Sequence, residues 1–492
     1  MSVAKRHHAP SVAPLARGSR LGSHSATNPK GTCMQKRRWI AALALLASLS
    51  LVAVACGDDK EGDSGTGDET TTTAADSGGG EGGGTLSGMK GTAPLVDLGD
   101  EFKNRLKSID SSLSDYTYAA ESYDAAIVVS LAVAEAETDG IGYAEKINGI
   151  TRGGEKCTDF KACSDLIAGG KDVDYDGASG PLEFSGNGEP TKASYGIMQF
   201  GTSGCDKVTT KSGTALKECI DDDKTEFVTA DAPKSADVPQ VPVEGDRKGD
   251  GVLKIGTLLP KTGSLAFLGP PEFAGVQLAI KEINDAGGVL GKPVEYVEGD
   301  SGDTDNKVAP TTVATLLGQN VDVIIGAASS AVSLSVVDSI ITAGVVMFSP
   351  ANTSKKLSTY ADKGLYFRNA PSDILQGQVL ADQIIADGNS NVYILAMNDD
   401  YGTGLAEDLK AGLDGGGATV LGTKVYDPKA ADYSAEVQAA KDADPDAIAL
   451  IGFDESSKIL AKAAEQGLDL SIFYGVDGNM GNALAENFEA GK

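Results

Sequence analysis

From residue 251 onward two patterns of apolar and polar positions alternate. Short runs rich in β-branched and aromatic residues, "VLKIGTLL", "VEYVEG", "VDVIIGA", "GVVMFSP", "NVYILAM", "TVLGTKVY", "AIALIGF" and "LSIFYG", predict strands. Between them, "PEFAGVQLAIKEINDAG" and "SSKILAKAAEQG" carry apolar residues at three- and four-residue spacing and end at glycine, which predicts helices. Strand and helix in succession imply parallel sheets with right-handed crossovers, an α/β architecture. Around "YFRNAPSD", 366 to 373, the chain leaves one set of units and starts another, so a hinge is predicted there between two lobes, 251–370 and 371–492. Open α/β sheets bind ligands at the carboxyl ends of their strands. The loops after "VDVIIGA", "GVVMFSP", "NVYILAM" and "LSIFYG" are therefore the expected walls of a cleft.

The first half reads differently. From Met34, three basic residues, an apolar run from Ile40 to Ala55 and small residues before Cys56 predict a secretory signal over 34–55. A single membrane span is the competing reading, but the run is short for a crossing. Residues 57 to 84, rich in Gly, Thr and acid, cannot form a core and read as a flexible tether, placed at 56–85. Residues 1–33 read as a non-native extension ahead of the start at Met34.

Charge and cysteine use agree with export. Every basic residue before position 57 lies in a segment without acid, and without those eight the net charge moves from −28 to about −36. Such a body repels phosphate backbones, which argues against nucleic acid as a partner. Cys157 with Cys163 and Cys205 with Cys219 are close in sequence and even in number, so two local disulfides are expected. Their spacings do not suit zinc. His7, His8 and His24 all precede the predicted signal, so the exported chain has no imidazole for general-base or zinc chemistry, and no enzyme or cofactor is expected. "DVDYDGASGPLE", Asp172 to Glu183, fits the calcium-loop spacing, but Pro181 and "LEF" point to a strand where a helix should leave, so no metal is expected.

Several motifs together, "LKIGTLLPKTG", "EFAGVQLAIKEINDAGGVLGKPVE", "VIIGAASSAVSLSVVDSIITAGVVMFSPANT", "NDDYGTG" and "FYGVDGNMGN", resemble the leucine/isoleucine/valine-binding family, the type I periplasmic solute receptors of ABC importers. The resemblance runs from about 251 to the end and implies two Rossmann-like lobes joined by a hinge. In that family further elements follow the point where this chain stops, and they are found here before residue 249. "GMKGTAPLVD" (88–97) is similar to the next strand, "EFKNRLKSI" to the next helix, "SYDAAIVVSLAVAEAE" (122–137) to a "YDA" helix, and "YDGASGPLEFSGNGEPTKASYGIMQF" (175–200) to the terminal hairpin. The expectation is a circular permutant in which 86–205 is the displaced C-terminal part, contributing to both lobes, and 206–250 is a flexible linker. A domain-swapped pair of chains and a separate N-terminal domain are the competing arrangements.

The resemblance also implies the site. Ser330 in "GAASSAVS" falls on a carboxylate-binding serine, and Ala351 and Thr353 in "SPANT" fall on a carbonyl and a threonine that hold ammonium and carboxylate. Tyr401 in "NDDYGTG" matches a cleft tyrosine, and Asp477 in "YGVDGN" an acidic ammonium partner, often Glu in the family. Leu268 and Phe267 match side-chain contacts, and Phe453 follows another strand. Read alone, Ser330 and Thr353 are also plausible helix caps, Tyr401 a rim aromatic and Asp477 a turn residue. The "AVAC" ending resembles a lipobox, which implies lipidation of Cys56 and anchoring to the outer face of the cytoplasmic membrane. The implied function is capture of a small aliphatic amino acid for the permease subunits of an ABC importer. The alternatives are a receptor for amides, urea or another small polar solute, and a sensor of the same fold.

Overall fold

The computed structural model describes residues 85–210, 213–231 and 239–491. The predicted signal, the tether up to residue 84 and Cys56 lie outside the described residues. Among the described residues, no helix is long and apolar enough to cross a membrane.

The first half opens with β1 (Lys90–Pro94), buried at four of its five positions. Helix α1 (Asp100–Ile109) has acid in its first turn and Lys107 in its last, and buries Phe102 and Leu106. Helix α2 (Ala119–Ala136) is different: every residue from Ala119 to Val133 is buried, so it has no solvent-facing side there and runs through the interior. There follow the one-turn α3 (Ile147–Ile150), β2 (Glu155–Cys157), α4 (Phe160–Ala168), β3 (Val173–Gly177), β4 (Gly180–Pro181) and the long β5 (Lys192–Gly201). Strands β6 (Cys219–Ile220) and β7 (Glu226–Asp231) both pair antiparallel with β5. Cys157 is bonded to Cys163 and Cys205 to Cys219.

Where it is described, the stretch 206–250 is ordered rather than the flexible linker its Pro, Lys and Asp content suggests. Besides the second disulfide and two strands, it ends in an extended strap pinned to its neighbours by charge. Arg247 Nη1 meets the buried Asp322 carboxylate at 2.8 Å. The Asp139 carboxylate accepts the backbone N–H groups of Asp250, Gly251 and Val252. Residues 232–238 lie outside the described residues.

Beyond the strap come β8 (Lys254–Leu258), α5 (Gly269–Asp285), β9 (Glu295–Val297), α6 (Ala309–Gly318), β10 (Val323–Gly326), α7 (Ser330–Thr342), β11 (Val346–Ser349) and β12 (Tyr366–Arg368). After them follow α8 (Asp373–Ala386), β13 (Asn391–Met397), α9 (Asp400–Gly416), β14 (Thr419–Tyr426), α10 (Ser434–Asp442), β15 (Ala447–Ile451), α11 (Ser456–Glu465), β16 (Phe473–Gly475) and α12 (Asn482–Glu489).

Two main sheets result. One is parallel throughout, in the order β12-β11-β10-β8-β9. The other runs β14-β13-β15-β16-β1-β5-β6, with β7 beside β5. Strand β1 is the junction of the second sheet, pairing parallel with β16 (Lys90↔Tyr474) and antiparallel with β5 (Lys90↔Gln199). A strand from the start of the described chain thus extends a sheet built from its end. The first sheet is covered the same way, because α2 lies against α5 so closely that a Cβ on Gly275 would sit 2.2 Å from Ala119 O. Each of the two large apolar cores draws on both parts of the chain. One joins Phe102, Ile127 and Phe184 to Ile255 and Phe348, the other Met89 and Phe200 to Leu395 and Phe473.

Candidate ligand-binding cleft

The carboxyl ends of the two sheets meet at a small cavity. In the first sheet, β10 ends at Gly326, whose φ of +130° and lack of Cβ let the chain pass Leu258 O, where a Cβ would come within 2.1 Å. The chain then turns into α7. Ser329 is the cap of that helix, its hydroxyl accepting from Val332 N, so Ser330 in the first turn is free of that duty. The Ser330 hydroxyl instead accepts from Ser354 N at 3.3 Å and ties α7 to the loop after β11. That loop carries Ala351 and Thr353 and is shaped from within: Ser349 Oγ accepts the amides of Ala351 and Asn352, while Asn352 Nδ2 donates to Ala327 O and Ala328 O.

From the second sheet, Asp399 caps α9 through Gly402 N at 2.7 Å and sets Tyr401 in the first turn. Asp477 follows β16 in a turn held by Asn479, whose side chain bonds Val476 N and Leu450 O. The Tyr401 hydroxyl donates to Asp477 Oδ1 at 2.6 Å, and its ring stacks on Phe453 at 5.4 Å. The other Asp477 oxygen accepts from Tyr118 at 2.7 Å, and Gln376 Nε2 adds a bond to Oδ1 at 3.0 Å. Asp477 is only 4% exposed. Burial pushes its carboxyl up, against the lowering effect of the hydrogen bonds from Tyr401, Tyr118 and Gln376. Burial and then the Asp477 charge push both phenols well above their ordinary value.

Seven of the eight expected ligand contacts line this one cavity: Leu268, Ser330, Ala351, Thr353, Tyr401, Phe453 and Asp477. Phe267 does not. It lies partly buried beyond the cavity, where its ring would be 3.2 Å from a Cβ on Gly481. Tyr118 and Leu265 also line the cavity, and neither was indicated by the sequence. The residual space is about 20 Å³, room for a water molecule, so the lobes are closed tightly on each other. A wider mouth of about 480 Å³ adjoins it, sharing Leu265, Ser329 and Phe453. Asp373, fully buried at the start of α8, belongs to the same neighbourhood: burial and the Asp477 charge push its carboxyl well up.

The cavity is lined by the hydroxyl residues Ser329, Ser330 and Thr353, by the buried carboxylate of Asp477 and by the apolar Leu265, Leu268 and Phe453. The calcium-loop residues are occupied from within the chain, since Lys156 Nζ lies 3.0 Å from both Asp174 and Asp176 and 3.6 Å from Glu183. Among the described residues no His, Cys, Asp and Glu group is arranged to hold a metal ion.

The family described as periplasmic binding protein matches residues 252–488. Just under half of the chain, residues 252–488, is thus similar to the periplasmic binding proteins. That family binds solutes and is not one of enzymes. Among similar periplasmic binding proteins, a Leu/Ile/Val-binding protein homolog of Brucella abortus is 31% identical over 243 residues, 47% of this chain and 62% of the relative. A leucine-, isoleucine-, valine-, threonine- and alanine-binding protein of Pseudomonas aeruginosa is 30% identical over 234 residues, 47% of this chain and 61% of the relative. A solved branched-chain amino acid transporter substrate binding protein, LivJ of Streptococcus pneumoniae in complex with isoleucine, is 28% identical, with 49% of this chain and 68% of that one covered and a TM-score of 0.44. The chain thus spans about three fifths of the length of the curated relatives it matches.

Proposed function

We propose that the protein is an exported receptor that captures a small aliphatic amino acid, in the branched-chain class, and presents it to the permease of an ABC importer. The observation that carries the reading is the buried Asp477, held by two phenols in the same cavity as Ser330 and Thr353. An α-amino acid carries one carboxylate and one ammonium, and a dry cleft must pair both. In this reading the carboxylate takes the Ser330 and Thr353 hydroxyls and the amides near the start of α7, and the ammonium takes Asp477 and Ala351 O. Leu268 and Phe453 bound the side chain. Ligand held by the first lobe favours closure, which brings Tyr401 and Asp477 over it.

The chain order is part of the proposal. Residues 86–205 are taken as the displaced C-terminal part of the fold, with 251–370 and 371–492 as the two lobes. The family match over 252–488 and the insertion of β1 between β16 and β5 support this order. The signal over 34–55 and a lipid on Cys56 would then anchor the protein on the outer face of the cytoplasmic membrane. The attachment would be through the β1 side of the second lobe.

A smaller solute is the second reading, favoured by a residual cavity of about 20 Å³. A thermal-shift screen of the purified protein against aliphatic amino acids, urea and acetamide separates the two. The proposal expects stabilisation by leucine, isoleucine or valine, and Asp477→Ala lowering that affinity by about 30-fold or more, since truncating one partner of a buried charge pair costs about 2 kcal/mol or more. A response to urea or acetamide alone would favour the second reading, and a response to none of these probes would remove both.

A further inference from the structure

Arg368, at the end of β12, is 1% exposed and is the largest fully buried side chain among the described residues. A guanidinium so placed is tolerated only if its donors are paired, so its partners define its role. Nη1 donates to two backbone carbonyls, Asn352 O at 3.1 Å and Ser354 O at 3.0 Å. These flank Thr353, the residue whose hydroxyl is taken to face the ligand. The other side of the fork meets Glu189: Nε lies 3.0 Å and Nη2 2.5 Å from Oε2, with Ser358 Oγ bridging Nη2 and the same carboxylate oxygen.

The placement joins ligand loop and hinge. Arg368 immediately precedes 369–372, where the chain passes from the first sheet to α8, and Glu189 immediately precedes the passage into β5. The two passages are also joined through backbone, Arg368 N donating to Gly188 O at 2.9 Å. Gly188 permits that approach, with φ at +73° and a would-be Cβ 2.6 Å from the Phe367 ring. From the far side Asn352 ties the same loop to Ala327 O and Ala328 O and accepts the Tyr366 hydroxyl at 3.0 Å. One buried charge pair therefore holds the 352–353 and 354–355 peptides, which bracket Thr353, and is itself held where two chain segments change lobe.

We propose that Arg368 and Glu189 are positioning residues that hold the Thr353 loop in its binding geometry before ligand arrives and couple that loop to the hinge. The inference rests on the amino-acid-binding reading, since it says how that site is preorganised. Neither residue touches the ligand. A lysine cannot replace the arginine, because a point charge does not span two carbonyls and a carboxylate at once.

The test separates positioning from folding. Removing one member of a buried pair leaves a stranded charge, whereas replacing both by apolar residues is often neutral for stability. The double variant Arg368→Met with Glu189→Leu is therefore expected to melt close to the parent yet bind leucine about tenfold or more weaker, and Arg368→Lys alone is expected to bind weakly as well. Hydrogen exchange over 349–355 in the unmodified protein without leucine gives a second readout, independent of any variant folding. Slow exchange, with little further slowing on adding leucine, is expected. An unchanged leucine affinity in a folded double variant would overturn the proposal, as would fast exchange of the loop in the free protein. If the parent binds no leucine, the amino-acid reading fails by itself. Exchange of 349–355 as slow in Arg368→Lys as in the parent would then still overturn the positioning role.

Discussion

Asp477 accepts hydrogen bonds from two phenols and an amide while buried, so an ammonium that reaches it joins donors already in place. Hydrogen bonds to a charged group contribute about 1.5–3 kcal/mol each. Tyr118→Phe is expected to destabilise the free protein by that much in urea unfolding and to weaken leucine binding with it. A second residue-level effect is the dependence on pH. Burial pushes the Glu121 carboxyl up to about 8 and the Glu455 carboxyl up to about 7, from an ordinary 4.5. Glu121 is faced by Asp124 on its own helix and by the buried Glu272 on α5, both negative when ionised. The folded state thus holds protons that the unfolded chain releases. Its stability from these groups is full below about 4.5 and is lost as pH rises through about 7 to 8. Glu121→Gln is expected to flatten the fall in melting temperature between roughly pH 6 and 8, and an unchanged slope would remove Glu121 from the account. Ser330, Thr353, Tyr401 and Asp477 were named through the family resemblance, because each read alone is an ordinary cap, rim or turn residue, and they line one cavity. Tyr118 was not named, because it enters the cavity from the left-handed residue ahead of α2, where no strand end announces it.

At the scale of elements, period and composition predicted the strands and two of the helices after residue 251, while the family resemblance gave the helix over 122–137, observed as Ala119–Ala136, and the strand over 88–97, observed as Lys90–Pro94. The 239–250 strap was not legible, because its order comes from a distant carboxylate, Asp139, and from the Arg247–Asp322 pair rather than from any period of its own. Arg247→Ala strands the buried Asp322 carboxylate, which burial already pushes up to about 6, and is expected to lower the melting temperature and loosen 239–250 in hydrogen exchange. The α2–α5 contact is the other element that composition hides. Gly275→Leu is expected to cost about 1–3 kcal/mol or more by overpacking against Ala119, read as a lower urea midpoint.

For the whole molecule, each core is shared between the early and late parts of the chain, so neither part covers its apolar face alone. The alternation of strands and helices made the architecture legible, while the order of β1 and β5 in the sheet depended on pairing that no local pattern encodes. In the proposed arrangement one chain, with its early segment folded into its late one, builds one amino-acid cleft. Calorimetric titration of the purified protein with leucine, on a sample whose mass is fixed by light scattering, tests it most directly. A monomer that binds one leucine per chain and loses that binding with Asp477→Ala is the predicted result. No heat with leucine, isoleucine or valine, or a stable dimer as the sole species that binds, would contradict it.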